Sequence, residues 1–287
     1  MKNIRLNLAG FLGLILLVIS FITPLLGLST KLNTQILYRL INSYLIAYIA
    51  YMISFMDTRK VILIFLPLIF HVSLDYLLIN GFSIKLSKDI IHGVYAIIRN
   101  LFDLISLVGI FFLVELILNK VFGNKFTSLL GILSLALFLY FDYSRILIRF
   151  TSLKEVFLYF AIFIMALRIR KADKINPLLY VLALILIGSE LFISYKYRLD
   201  YGYFLSFIPL LYLILKSISN PCEISFEKFM IFVYIYLYPS IFIGFRLFVG
   251  ENRLVTLLLS LLTSLFIGQI LYKLRIKSIN YLLVGIN

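Results

Sequence analysis

Apolar residues fall in long blocks along this 287-residue chain, and polar residues mostly punctuate the gaps between them. Ten blocks stand out, at residues 8–28, 36–56, 60–80, 89–118, 126–142, 155–170, 177–195, 203–217, 229–249 and 254–272. A helix of about 20 residues crosses the hydrocarbon core of a bilayer, and most of these blocks approach or exceed that length. Backbone groups that face lipid must be paired within their own segment or in a closed barrel. The two-residue alternation of barrel strands is not seen. The expected fold is therefore all-α: a polytopic integral membrane protein of about ten transmembrane helices with short loops. It would form a single transmembrane domain over residues 1–287.

Two stretches complicate this plan. Between Lys88 and Lys120 lie 31 residues, about 46 Å as a helix, against a hydrocarbon core near 30 Å. A plain protruding helix is the simpler expectation, and Gly93 and Gly109 are where a break would be expected. The loop 143–154, "YSRILIRFTSLK", interleaves apolar and basic positions and reads as an amphipathic interfacial helix. The chain also matches itself at an offset of 142, which lays Pro67 of "FLPLIF" on Pro209 of "FIPLLY". That admits half-repeats 1–142 and 143–287, inverted because each holds an odd number of spans, a common transporter plan. Evenly spaced spans align with themselves at many offsets, so the match alone does not establish a repeat.

Composition agrees with the pattern. Hydrophobic residues make up 63% and the mean hydropathy is +1.07, beyond the range of soluble domains. The net charge of +14 would otherwise direct attention to nucleic acid, but the Lys and Arg residues sit mostly between apolar blocks. There they act as topology signals and contacts for anionic lipid headgroups. The expected partners are the bilayer and its anionic headgroups, with no nucleic acid. With the N-terminus inside, the inner segments carry 15 Lys and Arg and the outer ones ten. The bias places both termini in the cytoplasm and the protein in the cell membrane. The first apolar run follows two positive charges but lacks a small-residue cleavage site, so it is expected to stay as the first span.

Charge inside the spans is the best pointer to function. An ionisable residue at the bilayer centre costs about 2.5–3.5 kcal/mol on insertion scales and usually faces the bundle interior. "IFHVSLDYLLI" holds His71 and Asp75 in the third span, and "HGVYAIIRNLFDLISLV" holds His92, Arg99, Asn100 and Asp103 in the fourth. His71 with Asp75, and Arg99 with Asp103, are i,i+4 pairs that share a helix face. A turn centred near residue 85 would make these spans antiparallel, with His71 level with Arg99 and Asp75 between His92 and Arg99. Glu190 and Arg246 fall in the same half of the membrane, and Glu115 and Gln269 nearer the other. The candidates for binding a substrate or ion are His71, Asp75, His92, Arg99, Asn100, Asp103, Glu190 and Arg246. Arg39, Arg145 and Arg149, at helix ends, are candidates for headgroup contact by snorkelling. The competing reading is a buried polar network that fixes helix packing.

No HExxH zinc site, GxSxG elbow or Walker loop occurs. No catalytic residue, metal or cofactor is expected. The one cysteine, Cys222 in "NPCEISF", allows no intrachain disulfide. Exosortases and archaeosortases, of similar size and span count, use a membrane-edge Cys followed by Arg residues. Here Glu223 and Ile224 replace the small residue and Gly that such a pattern requires, and the spacings to Arg246 and Arg253 are too short. Cys222 is therefore expected to be an unreactive loop thiol.

These observations lead first to a transporter or flippase-like carrier with a polar, Arg- and Asp-containing cavity open to one membrane face. Asp75 and Asp103 would be cation or proton sites, with Arg99 pairing with them or holding an anionic group. One alternative is a membrane enzyme acting on a lipid-linked phosphate held by Arg residues. The other is a structural or assembly subunit of a membrane complex.

Overall fold

The computed structural model describes residues 13–16, 18–19, 31–81, 88–143, 151–169, 185, 226–249 and 252–286. Its ordered elements are α1 (Lys31–Ile53), α2 (Thr58–Gly81), α3 (Lys88–Tyr143), α4 (Thr151–Ile169), α5 (Phe226–Val249), α6 (Arg253–Leu274) and α7 (Lys277–Leu283). No strand occurs among the described residues. Among them, three helices are long and apolar enough to cross a membrane: Leu104–Phe141, Phe226–Arg246 and Leu254–Leu274. Ile41–Ile53 is a shorter apolar helix. The expected first, seventh and eighth spans lie wholly or largely outside the described residues.

The described residues belong to two compact units that each draw on both halves of the chain. One comprises residues up to Leu37, Met56–Gly109 and Cys222 onward, and the other Tyr38–Phe55 and Ile110–Pro221.

In the first unit α5 is the central helix. Phe229–Tyr238 are all buried, as expected of a helix that is apolar on every side. Antiparallel to it runs α6. The turn between them is closed by Asn252, whose Oδ1 accepts the Val255 N–H at 3.2 Å. Phe226 and Phe229 pack on Tyr272 at the other end of the pair. The seam is built on Thr256, Ser260, Ser264 and Gly268, four residues apart. Each hydroxyl bonds the carbonyl one turn back, Thr256 to Asn252, Ser260 to Thr256 and Ser264 to Ser260. Their polarity is thus absorbed locally, and the small side chains let the two backbones approach closely.

Gly268 tests that seam. A Cβ there would fall 2.5 Å from Met230 Sδ, which can swing aside, and 3.3 Å from Val233 Cγ1, which cannot readily do so. Gly268→Ala is expected to be tolerated. Gly268→Val should cost about 1–3 kcal/mol by overpacking, read as a drop in the thermal midpoint of the purified protein. Equal midpoints for the two variants would rule out close packing here.

The helix α2 runs parallel to α5, with Ile64 opposite Tyr236 and His71 opposite Ser240. Beyond α6 the chain turns at Arg275 (φ 49°), and α7 doubles back until Gly285 lies on the backbone of Ile64.

In the second unit α3 does not run straight. Gly123 (φ 81°, ψ 172°) interrupts it, in a region of backbone space essentially reserved for glycine. The contacts with α4 reveal the fold of the two halves. Before Gly123, Phe111 meets Phe160 and Phe163, and Glu115 meets Arg168, so the order is parallel. After it, Thr127 meets Arg168, Gly131 faces Ile164 and Phe141 meets Phe157, so the order is reversed. The two halves are therefore a helical hairpin that turns on one glycine. The expected loop between the fourth and fifth spans contracts to this residue. A break at Gly93 or Gly109 is corrected, because α3 stays helical through both. Residues 151–154, expected in an interfacial loop helix, form the first turn of α4. Residues 144–150 lie outside the described residues.

Candidate functional site

Burial of ionisable groups inside the first unit begins with His71, which has no exposed surface. Its Nε2 lies 3.0 Å from Leu283 O, a contact that requires an N–H on that nitrogen. In the neutral ring Nδ1 is then an acceptor, and the Ser240 hydroxyl donates to it at 3.1 Å. The imidazole stacks on Tyr236 and meets the edge of Phe70. Both helices carry a proline close by, Pro67 in α2 and Pro239 in α5. Each removes a helical N–H donor and so loosens the ladder locally. Next to the interruption in α2, Tyr236 Oη donates to Ile64 O at 2.6 Å. His71 thus joins three elements, α2, α5 and the residue that ends α7. With both nitrogens engaged, it offers no lone pair to a metal or substrate unless one of these bonds breaks.

Asp75 lies one turn beyond His71 on α2, so the two share a face by helix geometry. Its side chain lies outside the described residues, as do those of Arg39, His92, Arg99, Asn100 and Asp103, whose helical backbone is described. Glu190, Arg145 and Arg149 lie outside them entirely.

The register of α3 against α2 nevertheless follows from one close approach. A Cβ on Gly109 would meet the Phe65 ring at 3.3 Å. A parallel arrangement would leave Gly81 and Lys88 more than 50 Å apart, and the six residues between them reach only about 25 Å. The two helices are therefore antiparallel. Counted from that one approach, and allowing for the lean of the Phe65 ring toward its N-terminus, Asp75 would fall level with about residues 97–99 of α3, and His71 with about 101–103. By that count Arg99 would fall nearer Asp75, and Asp103 nearer His71, whereas the count through the turn sets Arg99 level with His71.

Arg246 is a buried residue of α5, six positions beyond Ser240. Lys228, a cation just before the apolar block 229–249, is buried in the first turn of the same helix.

A second polar cluster, in the other unit, was not anticipated. Arg168, at the end of α4, reaches the hairpin turn of α3 and bonds Glu115 Oε1 at 3.0 Å through Nη2. The same guanidinium donates to Asn124 Oδ1 and Thr127 Oγ1. The Asn124 carbonyl in turn accepts from the hydroxyls of Thr127 and Ser128. In the sequence Glu115 stands only as a charge of the opposite half-membrane, and Arg168 as one of the cations between apolar blocks. The available clue was the Gly-Asn pair in "FGNKFT", the kind of dipeptide that marks a tight turn. Charge pairing makes this cluster a clamp on the turn. It offers no uncompensated base.

Among the described residues, no group of three or more His, Cys, Asp and Glu is placed to hold a metal ion. Compared with known proteins, the chain matches no family model, no curated protein and no solved structure.

Proposed function

We propose that the chain is a multi-pass carrier of the cell membrane, a transporter or flippase-like protein of about ten helices with both termini cytoplasmic. In this reading the hairpin of α3 makes two passes. Residues 104–122 and 124–141 would each extend about 27–28 Å, close to the hydrocarbon thickness. A five-plus-five inverted repeat belongs to the same proposal.

What supports it is the approach of Gly109 to Phe65, from which Asp75 and Arg99 count to about one level on two mainly apolar helices. Placing opposite charges at one depth within a bilayer is costly, and such residues line substrate or ion pathways more often than they fill space. Asp75 and Asp103 are the cation or proton sites, and Arg99 is the counter-charge or anion contact. A second reading, as a structural subunit, draws its support from His71, whose hydrogen bonds are all spent on holding helices together.

Thiol accessibility separates the two. In a Cys222→Ser background, single cysteines at Asp75, Arg99 and Asp103 are exposed to a small membrane-impermeant reagent from either side. Ile69 and Leu262, exposed apolar positions, serve as controls. The carrier reading expects all three test positions to react from one side while the controls stay silent. Silence at all three in folded protein would end it and leave the structural subunit.

A further inference from the structure

From Asn252 to the end of the chain there is no Asp or Glu. Three cations nevertheless gather where α6 gives way to α7: Lys273, Arg275 and Lys277, all exposed. None forms an ion pair among the described residues. Between and beside them Leu274, Ile276, Ile279 and Leu282 are exposed as well. A purely solvated elbow has no use for four exposed aliphatic side chains within nine positions. The helix that leads into the elbow is exposed at apolar positions too, Leu254, Leu258, Leu262 and Phe266.

The elbow is held in place. Arg275 takes the left-handed conformation that ends α6, and its guanidinium lies over the Tyr272 ring at 5.8 Å. Asn280, buried, donates to Leu271 O. Val284 and Ile286 are buried, and Leu283 O is bound by His71. The orientation of residues 273–279 is therefore set by contacts on the opposite side of α7.

We infer that this elbow is a docking surface for anionic phospholipid headgroups. The apolar side chains enter the acyl boundary at the end of α6, and the three cations meet phosphates at the headgroup level. This rests on the reading of α6 as a membrane-spanning helix. Interleaved aliphatic residues favour lipid over a polyanion free in water, because only a lipid offers an apolar layer directly beneath its charge. A Lys or Arg near an anionic membrane surface strengthens association by roughly fivefold.

The test uses the full chain carrying Cys222→Ser and Ser278→Cys, labelled with an environment-sensitive fluorophore and reconstituted in phosphatidylcholine vesicles. Small fractions of brominated phosphatidylglycerol or brominated phosphatidylcholine are titrated as quenchers. The anionic quencher is expected to act at about tenfold lower mole fraction than the zwitterionic one in low salt, with the gap narrowing as salt screens the surface. Lys273→Ala, Arg275→Ala and Lys277→Ala together should equalise the two. Equal quenching before substitution overturns the headgroup preference. A preference that survives the triple substitution assigns it elsewhere and overturns the proposal too. Quenching by neither lipid would remove the elbow from the membrane and fail the underlying reading of α6 instead.

Discussion

Gly285→Ala is expected to detach the segment 275–286 from α2. Gly285 has φ 78°, a conformation that costs a residue with a Cβ about 1–2 kcal/mol. Space adds a larger penalty. The new Cβ would lie 2.7 Å from Ile64 O, 2.9 Å from Ile64 Cα and 3.1 Å from Ile64 C. All three are backbone atoms of a helix and cannot rotate out of the way. Either α2 moves or the segment lifts. The segment is held by a few contacts and α2 by a whole helix, so the segment is the one to yield. Lifting it breaks the Leu283–His71 bond two residues away and leaves a buried imidazole N–H without its acceptor. The combined effect should be about 2–4 kcal/mol, in the range of the strained and unsatisfied classes of mutation. Limited proteolysis of the purified protein should cut within 275–286 much faster than in the parent, and the thermal midpoint should fall. Gly244→Ala, at an open position inside α5, is the control and should do neither. Unchanged cleavage and midpoint for Gly285→Ala would mean that the close approach to Ile64 is not present.

The second large effect is expected at the hairpin clamp. Arg168→Ala leaves the Glu115 carboxylate, about nine-tenths buried, without its cation. It also strips Asn124 Oδ1 and Thr127 Oγ1 of a donor at the turn itself. Breaking a fully buried pair costs about 3–5 kcal/mol, mostly through the orphaned charge. Arg168 retains some exposure, so about 2–3 kcal/mol is expected here. Glu115→Leu alone should be nearly as damaging, because it strands the guanidinium. The double variant Arg168→Met with Glu115→Leu should recover much of the loss, since an apolar pair of similar volume carries no desolvation cost. A double-mutant cycle on thermal or denaturant unfolding in detergent measures the coupling. If Arg168→Ala shifts stability by less than about 0.5 kcal/mol, the pair behaves as an exposed surface bridge and the clamp is not needed.

Both predictions concern how helices are held, and they separate the two kinds of information in this protein. Helical character was legible in the sequence because it depends on local facts: apolar blocks of membrane length and the need of each segment to satisfy its own backbone. α2, α5 and α6 lie close to where those blocks begin and end. The clustering of ionisable residues in the third and fourth blocks was legible for the same reason, since composition is read without knowing neighbours.

What only the tertiary structure decided was which of those residues meet. His71 and Ser240 are 169 positions apart, and His71 and Leu283 are 212 apart. No periodicity links such pairs. The approach of Gly109 to Phe65 gives a register a few residues from the one counted through the turn. Glu115 and Arg168 looked like separate charges because their meeting depends on a reversal at Gly123, and a single glycine gives little warning of a hairpin. The stripe of Thr256, Ser260, Ser264 and Gly268 was in plain view, but small residues lack the hydropathy by which helix faces are read. Hydrophobicity is a property of each residue and survives in the linear chain. Pairing is a property of the folded whole, set by packing between segments that the chain order does not bring together.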